Sequence, residues 1–220
     1  MKKELRIKCL VLDHDDTVVK STPEIHYPSF CKALSKLRPE MKLSYEQFIE
    51  WNFAPGFSAM CYDILGFNKE EMAYQEQCWR EGAAKKSASM YEGFPELLRE
   101  YVENGGRICV SSHSAKAHII RDYEAAGAPI PEYIFDWESE RKKPDPFALE
   151  EAMRIYGLKP EELLMVDDLK PGYDMAKAAG VPFACAGWSD NQIPMIREFM
   201  KQYSDYYPEH VKYLEKLLYQ

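Results

Sequence analysis

The sequence predicts an α/β protein: a parallel sheet covered by helices on both faces, with a small all-helical domain inserted after the first strand. Three observations predict it. Short apolar runs without polar alternation recur along the chain, as fully buried parallel strands require. Helical stretches lie between them, and most stop at a glycine, the residue that takes a left-handed helix end without strain. One long segment, residues 20–92, breaks this rhythm and holds no clear strand.

Leu5 to Leu12, with Ile7, Cys9, Leu10, Val11 and Leu12, reads as the first buried strand. In the segment that follows, Ser44-Tyr45-Glu46-Gln47 and Asn68-Lys69-Glu70-Glu71 resemble helix-start capping boxes, and Leu65-Gly66 resembles a helix end. Residues 1–19 and 93–220 are therefore expected to form the core domain and 20–92 the helical insert, with hinges near Val19-Lys20 and Tyr91-Gly93.

From there strand and helix alternate. Pro95–Asn104 is helical and stops at Gly105-Gly106, and Arg107–Val110 is the second strand of the sheet. Ala115–Ala126 ends at Gly127, before the strand Tyr133–Phe135. Pro146–Tyr156 ends at Gly157, before Leu163–Val166, and Gly172–Ala179 ends at Gly180, before Pro182–Ala186. The tail after Trp188 reads as a helix, a tyrosine-rich stretch (Tyr203, Tyr206, Tyr207) and an amphipathic helix from Glu209 to Leu218. Such alternation means crossover units and a parallel sheet.

The chain of 220 residues carries a formal net charge of −8. This acidic balance argues against a non-specific nucleic-acid binder, whose affinity rests on a basic surface. No apolar run approaches the ~18 residues that span a bilayer, and the opening Met1-Lys2-Lys3-Glu4 does not read as a secretory signal. The six cysteines (Cys9, Cys31, Cys61, Cys78, Cys109 and Cys185) show no Cys-x-x-Cys or metal-finger spacing. They are expected to be free thiols in a reducing cytoplasm. The five histidines form no ligand spacing either, although His113 stands beside a serine loop.

In an open parallel sheet, ligands bind beyond the carboxyl ends of the strands. The first strand ends in Asp13-His14-Asp15-Asp16-Thr17 and the second in Val110-Ser111-Ser112-His113. A basic loop, Arg141-Lys142-Lys143-Pro144, precedes a helix, and the fourth strand delivers Asp167-Asp168. Acids at strand ends also serve as turn formers and caps, but Asp13, Asp15, Asp167 and Asp168 together at one edge would repel one another unless a cation neutralised them. Mg²⁺ suits that need, since it binds through one or two carboxylates together with phosphate oxygens and water. A serine hydroxyl and Lys143 could then hold a phosphoryl group.

With these residues in place, the sequence resembles the haloacid-dehalogenase-like hydrolase superfamily, in the branch with a helical cap between its first two motifs. Asp13, Asp15 and Thr17 match the Asp-x-Asp-x-Thr motif, Ser111 the Ser/Thr motif, Lys143-Pro144 the Lys-Pro motif, and Asp167-Asp168 with Ala179-Gly180 the acidic motif. The resemblance covers nearly the whole chain and implies a Rossmann-like core. It implies that Asp13 is a nucleophile forming an aspartyl-phosphate and that Asp15 is the general acid and base. It further implies that the Asp13 carboxylate, the Asp15 backbone carbonyl and Asp168 hold Mg²⁺, with Asp167 helping directly or through water. Ser111, with Ser112 beside it, and Lys143 would bind the phosphoryl oxygens.

The chain departs from this pattern at four places. Asp16 stands where the family usually has glycine, and His14 where an aromatic or aliphatic residue is common. Asp167 replaces a commoner glycine, and Gly172 occupies a place that is often aspartate. Asp15 favours phosphate esters over carbon–halogen bonds, because an alkoxide leaving group needs a proton and a halide does not. The expected function is a phosphohydrolase acting on a small phosphorylated metabolite such as a sugar phosphate or phosphoglycolate. The alternatives are a phosphomutase using the same intermediate and, from another class, a non-catalytic phosphate-binding regulator. Trp51, Phe53, Phe57 and Trp79 are expected to pack in the core of the cap, and nothing in the pattern bears on oligomeric state.

Overall fold

The structure is a computed structural model that describes residues 3–220. Five strands form one sheet: β1 (Cys9–Leu12), β2 (Arg107–Ser111), β3 (Tyr133–Phe135), β4 (Leu163–Asp167) and β5 (Phe183–Cys185). Their order is β3-β2-β1-β4-β5, and every pairing is parallel. The chain builds outward from β1 to β3, then returns to the other side of β1 for β4 and β5. That reversal places the crevice between the ends of β1 and β4 at the site where such sheets bind ligands.

Between β1 and residue 92, apart from bridges of Val19 to Asp15 and to Met90, the regular structure is helical: α1 (Tyr27–Leu37), α2 (Tyr45–Trp51), a short α3 (Phe57–Ala59) and α4 (Lys69–Lys85), with wider helical turns at Thr22–His26, Asn52–Gly56 and Met60–Ile64. Asn68 caps α4 reciprocally: its side chain accepts from the Glu70 and Glu71 N–H groups, while Glu71 accepts from the Asn68 N–H. Ser44 accepts from the Gln47 N–H at 3.1 Å. Helices α1 and α4 approach closely at Gly82, where a Cβ would run into Ser29.

The remaining helices are α5 (Phe94–Glu103), α6 (Lys116–Ala125), α7 (Phe147–Tyr156), α8 (Lys170–Ala179), α9 (Pro194–Tyr203) and α10 (Val211–Leu218). Strand alternation divides their contacts. Leu10, Leu12, Ile108, Val110 and Val166 face a layer that includes Phe94, Leu98, Tyr101, Ile119 and Leu214. Cys9, Val11, Cys109 and Met165 face Ala148, Leu149, Met175, Ile196 and Met200. Both faces of the sheet are therefore covered, and the functional groups can reach solvent only at its ends.

β1 is shorter than the run Leu5–Leu12 predicts. Its ladder partners begin opposite Cys9, at Arg107 and Leu163. The earlier Arg6 and Ile7 N–H groups donate instead to the Leu218 carbonyl, at 2.8 and 3.1 Å. Helix α8 begins two residues before Gly172, with Pro171 in its first turn, where its missing N–H costs nothing. All six cysteines are free. No helix among the described residues is long and apolar enough to cross a membrane.

Candidate active site

Sheet register brings distant acids together. Leu12 pairs with Val110 on one side and Val166 on the other, so the next residue, Asp13, stands between Ser111 and Asp167 at the carboxyl edge. Its backbone N–H donates to the Val166 carbonyl at 2.8 Å, which fixes where the chain leaves the sheet. Ligand oxygens of Asp13, Asp167 and Asp168 lie within 4.8 Å of one another, and all three residues are buried.

Lys143 bridges this cluster. Its buried Nζ donates to Asp13 Oδ1 at 2.7 Å and to Asp167 Oδ2 at 2.5 Å. Burial opposes its charge, but Asp13 and Asp167 outweigh it and hold the ammonium above the ordinary lysine range. Asp167 is pushed up to about 6 by burial, with Lys143 opposing and Asp13 reinforcing. Asp168 is raised well above the usual carboxylate range, first by burial and then by Asp167, Asp16 and Asp13. One ammonium among three buried carboxylates leaves an excess of negative charge on hard oxygen donors. Such a donor set fits a divalent cation.

The segment after β5 orients Asp168. Asn191 Nδ2 donates to Asp168 Oδ2 at 2.9 Å, the Ser189 hydroxyl at 3.2 Å, and Gln192 Nε2 reaches the Asp168 carbonyl at 2.8 Å. The Thr17 hydroxyl lies 3.4 Å from Asp13 Oδ2 and 3.5 Å from Asp168 Oδ1.

Asp15 lies outside this cluster, against the helical insert. His26 Nε2 is 3.2 Å from its Oδ1, and the Ser114 hydroxyl donates to its Oδ2. Trp79 Nε1 donates to His26 Nδ1 at 2.8 Å. Burial alone would raise the Asp15 carboxyl, but His26, then His14 and Ser114, hold it well below the usual range. Burial lowers His26, and the neighbouring Asp15 outweighs that and raises it. The indole bond opposes this rise, because it needs the Nδ1 lone pair. It settles the resting tautomer, with the proton on Nε2 facing Asp15.

The two serines part company. Ser111 is the last residue of β2, and alternation turns its hydroxyl to the α8 face, 3.9 Å from the Met175 sulfur. Ser111 is not part of the cavity wall, whereas Ser112, one residue beyond the strand, is. His14 is turned away too. It is buried with Nε2 3.2 Å from Asp122 Oδ2, and its Nδ1 has no hydrogen-bond partner among the described residues. Asp16 adopts φ 59°, a left-handed conformation that asparagine and aspartate tolerate best after glycine. Its carboxylate accepts from the Thr22 N–H at 2.9 Å and from the Thr22 hydroxyl, tying the insert to the loop after β1.

These groups open on a cavity of about 430 Å³ between the sheet edge and the insert. Asp13, Asp15, Ser112, Lys143, Asp167 and Asp168 reach it from the sheet. Phe57 and Trp79 line it rather than packing wholly within the helical segment, whereas Trp51 and Phe53 do not line it. Sequence reasoning passed over His26, Ser189 and Asn191. The last two follow the end of β5, so the rule that strand ends deliver ligands pointed there; no local pattern marks His26.

An acidic, lysine-bridged crevice at the reversal point of an open parallel sheet defines an α/β enzyme that handles a charged ligand. Residues 10–186 match the family of haloacid dehalogenase-like hydrolases, and the chain belongs to that family. It is 23% identical over 207 residues to a phosphoglycolate phosphatase of Thiobacillus denitrificans, covering 88% of this chain and 89% of the relative. It is 27% identical over 204 residues to the pyrophosphatase PpaX of Halalkalibacterium halodurans, covering 90% and 92%. Among solved structures, a haloacid dehalogenase-like protein of Agrobacterium tumefaciens shares the fold with TM-score 0.78 at 14% identity, covering 96% and 97% of the two chains. CbbY of Rhodobacter sphaeroides, solved with xylulose-1,5-bisphosphate, does so with TM-score 0.68 at 18% identity, covering 93% and 94%.

Proposed function

We propose that the protein is a Mg²⁺-dependent phosphohydrolase that acts on a small phosphate monoester through an aspartyl-phosphate on Asp13, with residues 20–92 as its cap. The observation that carries this reading is the Lys143 ammonium between Asp13 and Asp167, with Asp168 alongside. Mg²⁺ held by the Asp13 and Asp168 carboxylates and the Asp15 carbonyl, with Asp167 beside it, would neutralise charge on the phosphoryl oxygens. The relatives named for phosphoglycolate and pyrophosphate hydrolysis support phosphate chemistry for this family branch.

An Asp13 carboxylate oxygen attacks phosphorus, and the bond from phosphorus to the ester oxygen breaks. Lys143 and Ser112 bind the equatorial oxygens, Ser112 taking the part expected of the serine pair. Asp15 gives its proton to the leaving alkoxide, and the bound phosphate dianion raises its affinity for that proton above the resting level. Water then attacks the aspartyl-phosphate, Asp15 takes the water proton, and the bond to Asp13 breaks to release inorganic phosphate. The free thiols suit a reducing, cytoplasmic setting.

The test is phosphate release from a panel of small phosphate esters with and without Mg²⁺, using Asp13→Asn as control. Turnover should need Mg²⁺ and vanish in Asp13→Asn while its circular dichroism stays native. Activity surviving that substitution would exclude the covalent route.

A further inference from the structure

The cap side of the cavity has an unusual chemistry for a pocket expected to hold an anion. Its apolar wall is made by Phe30, Phe48, Ile49, Phe57 and Trp79. Its polar groups are the Asn52 and Gln75 amides, the Thr22 hydroxyl, His26 and the Glu76 carboxylate. No lysine or arginine of the cap is among its described lining residues.

The basic groups that line the cavity are held by partners or disfavoured as cations, and Lys142 lies outside it, with its Nζ 5.8 Å from the centroid of the Trp137 ring. Lys143 is bonded to Asp13 and Asp167 at the phosphoryl end. His26 is fixed between Asp15 and Trp79. Burial, and then the charge of Lys143, push the His113 imidazolium below its ordinary range. Arg80 lies in an adjoining recess with its side chain 67% exposed, and its guanidinium is paired to Glu76 at 2.5 Å. That recess shares Trp79, Glu76 and His113 with the main cavity and adds His118 and Trp137. Trp79 meets His118 there at 6.1 Å, and Trp137 is half exposed.

A substrate with a second anionic group held in the main cavity would therefore bring it against Glu76 and aromatic faces, with no free lysine or arginine among the described lining residues to replace its hydration. An uncharged aromatic or alkyl body would instead bury apolar surface against rings that prefer it. We propose that the alcohol half of the substrate is uncharged and largely apolar, with an aromatic ring as the best fit. This rests on the phosphatase reading and divides the protein from relatives whose names denote phosphoglycolate or pyrophosphate, since both of those substrates carry a further anionic group.

The test is calorimetric titration of the full chain with Mg²⁺ using two unreactive phosphonates, benzylphosphonate and phosphonoacetate. Benzylphosphonate should bind at least ~10-fold more tightly, and Glu76→Lys, a change at a largely exposed helix position, should narrow the gap by strengthening phosphonoacetate binding. Equal or tighter binding of phosphonoacetate, or no binding of either compound, overturns the inference. Turnover separates this from the underlying reading. If 2-phosphoglycolate or pyrophosphate is hydrolysed faster than benzyl phosphate, the phosphatase stands and the apolar specificity falls. If benzylphosphonate binds preferentially but benzyl phosphate is not hydrolysed, the pocket chemistry stands and the phosphatase reading falls.

Discussion

The side chain of Asp167 fills the space that a side chain on Gly172 would need. A Cβ at residue 172 would overlap the Asp167 carboxylate and Cβ and lie 2.5 Å from its Cγ. Asp167 accepts a hydrogen bond from Lys143 with that same carboxylate. The Asp167 side chain and the bare Cα of Gly172 thus depend on one another. The carboxylate reaches the lysine from the end of β4, and the first turn of α8 gives way to it.

This shared space should couple the two positions energetically. Gly172→Ala should displace Asp167 and cost ~1–3 kcal/mol of stability through overpacking. Asp167→Gly should leave Lys143 with one carboxylate and lower kcat, and Gly172→Asp should fail alone because Asp167 blocks it. The double variant Asp167→Gly/Gly172→Asp should regain much of the lost activity and melting temperature. Additive losses in a double-mutant cycle, measured by calorimetry and phosphate release, would count against this coupling.

The fold was legible because its signals are local. Runs such as Leu163–Val166 contain no polar break, and glycines at 127, 157 and 180 take the positive φ that closes each helix. The carboxylate cluster was legible for a related reason, since strand ends of a parallel sheet share one edge. What stayed hidden depends on direction and distance. Whether Ser111 or Ser112 enters the cavity is decided by where β2 stops, and a single step of alternation reverses the answer. His26 meets Asp15 only because Asp16 ties Thr22 to the loop after β1 and so sets the position of the turn that carries His26.

Asp15 should matter in proportion to the need of the leaving group for a proton. Asp15→Ala is expected to lower kcat ~10²–10⁴-fold for alkyl phosphates. For p-nitrophenyl phosphate, whose leaving group is stable as an anion, the loss should be much smaller. A plot of log kcat against leaving-group pKa should be steeper for the variant. Equal losses across the series would contradict the assignment of Asp15 as the acid.

His26 acts on the reaction through Asp15, as a positioning residue. His26→Ala removes the hydrogen bond that does most to hold the Asp15 carboxyl low, so the pH–rate limb reporting Asp15 should move upward. kcat should fall ~10-fold while KM changes little, and His26→Gln, whose amide can still donate, should recover part of both. A loss of stability with an unmoved pH profile would reduce His26 to a packing residue.

Metal and protons should compete for the same buried acids. Asp16 and Asp167 are each raised to about 6, by burial first, and Asp168 is raised well above the usual carboxylate range, again by burial first. In the unfolded chain these groups titrate near ~3.9. The folded, metal-free protein therefore holds extra protons between pH ~4 and 6, and the stability they confer is lost as the pH rises through 6. Its melting temperature should fall between pH 5 and pH 8. Mg²⁺ at ~100-fold above its Kd stabilises by ~2.7 kcal/mol, which is a rise of about 5–10 °C for a chain of this size. At equal Mg²⁺ that rise should be larger at pH 8 than at pH 5, where protons occupy the carboxylates. Scanning calorimetry of the chelator-treated and Mg²⁺-loaded protein at the two pH values decides it: a Mg²⁺ effect of the same size at both would mean that the ion does not bind at Asp167 and Asp168.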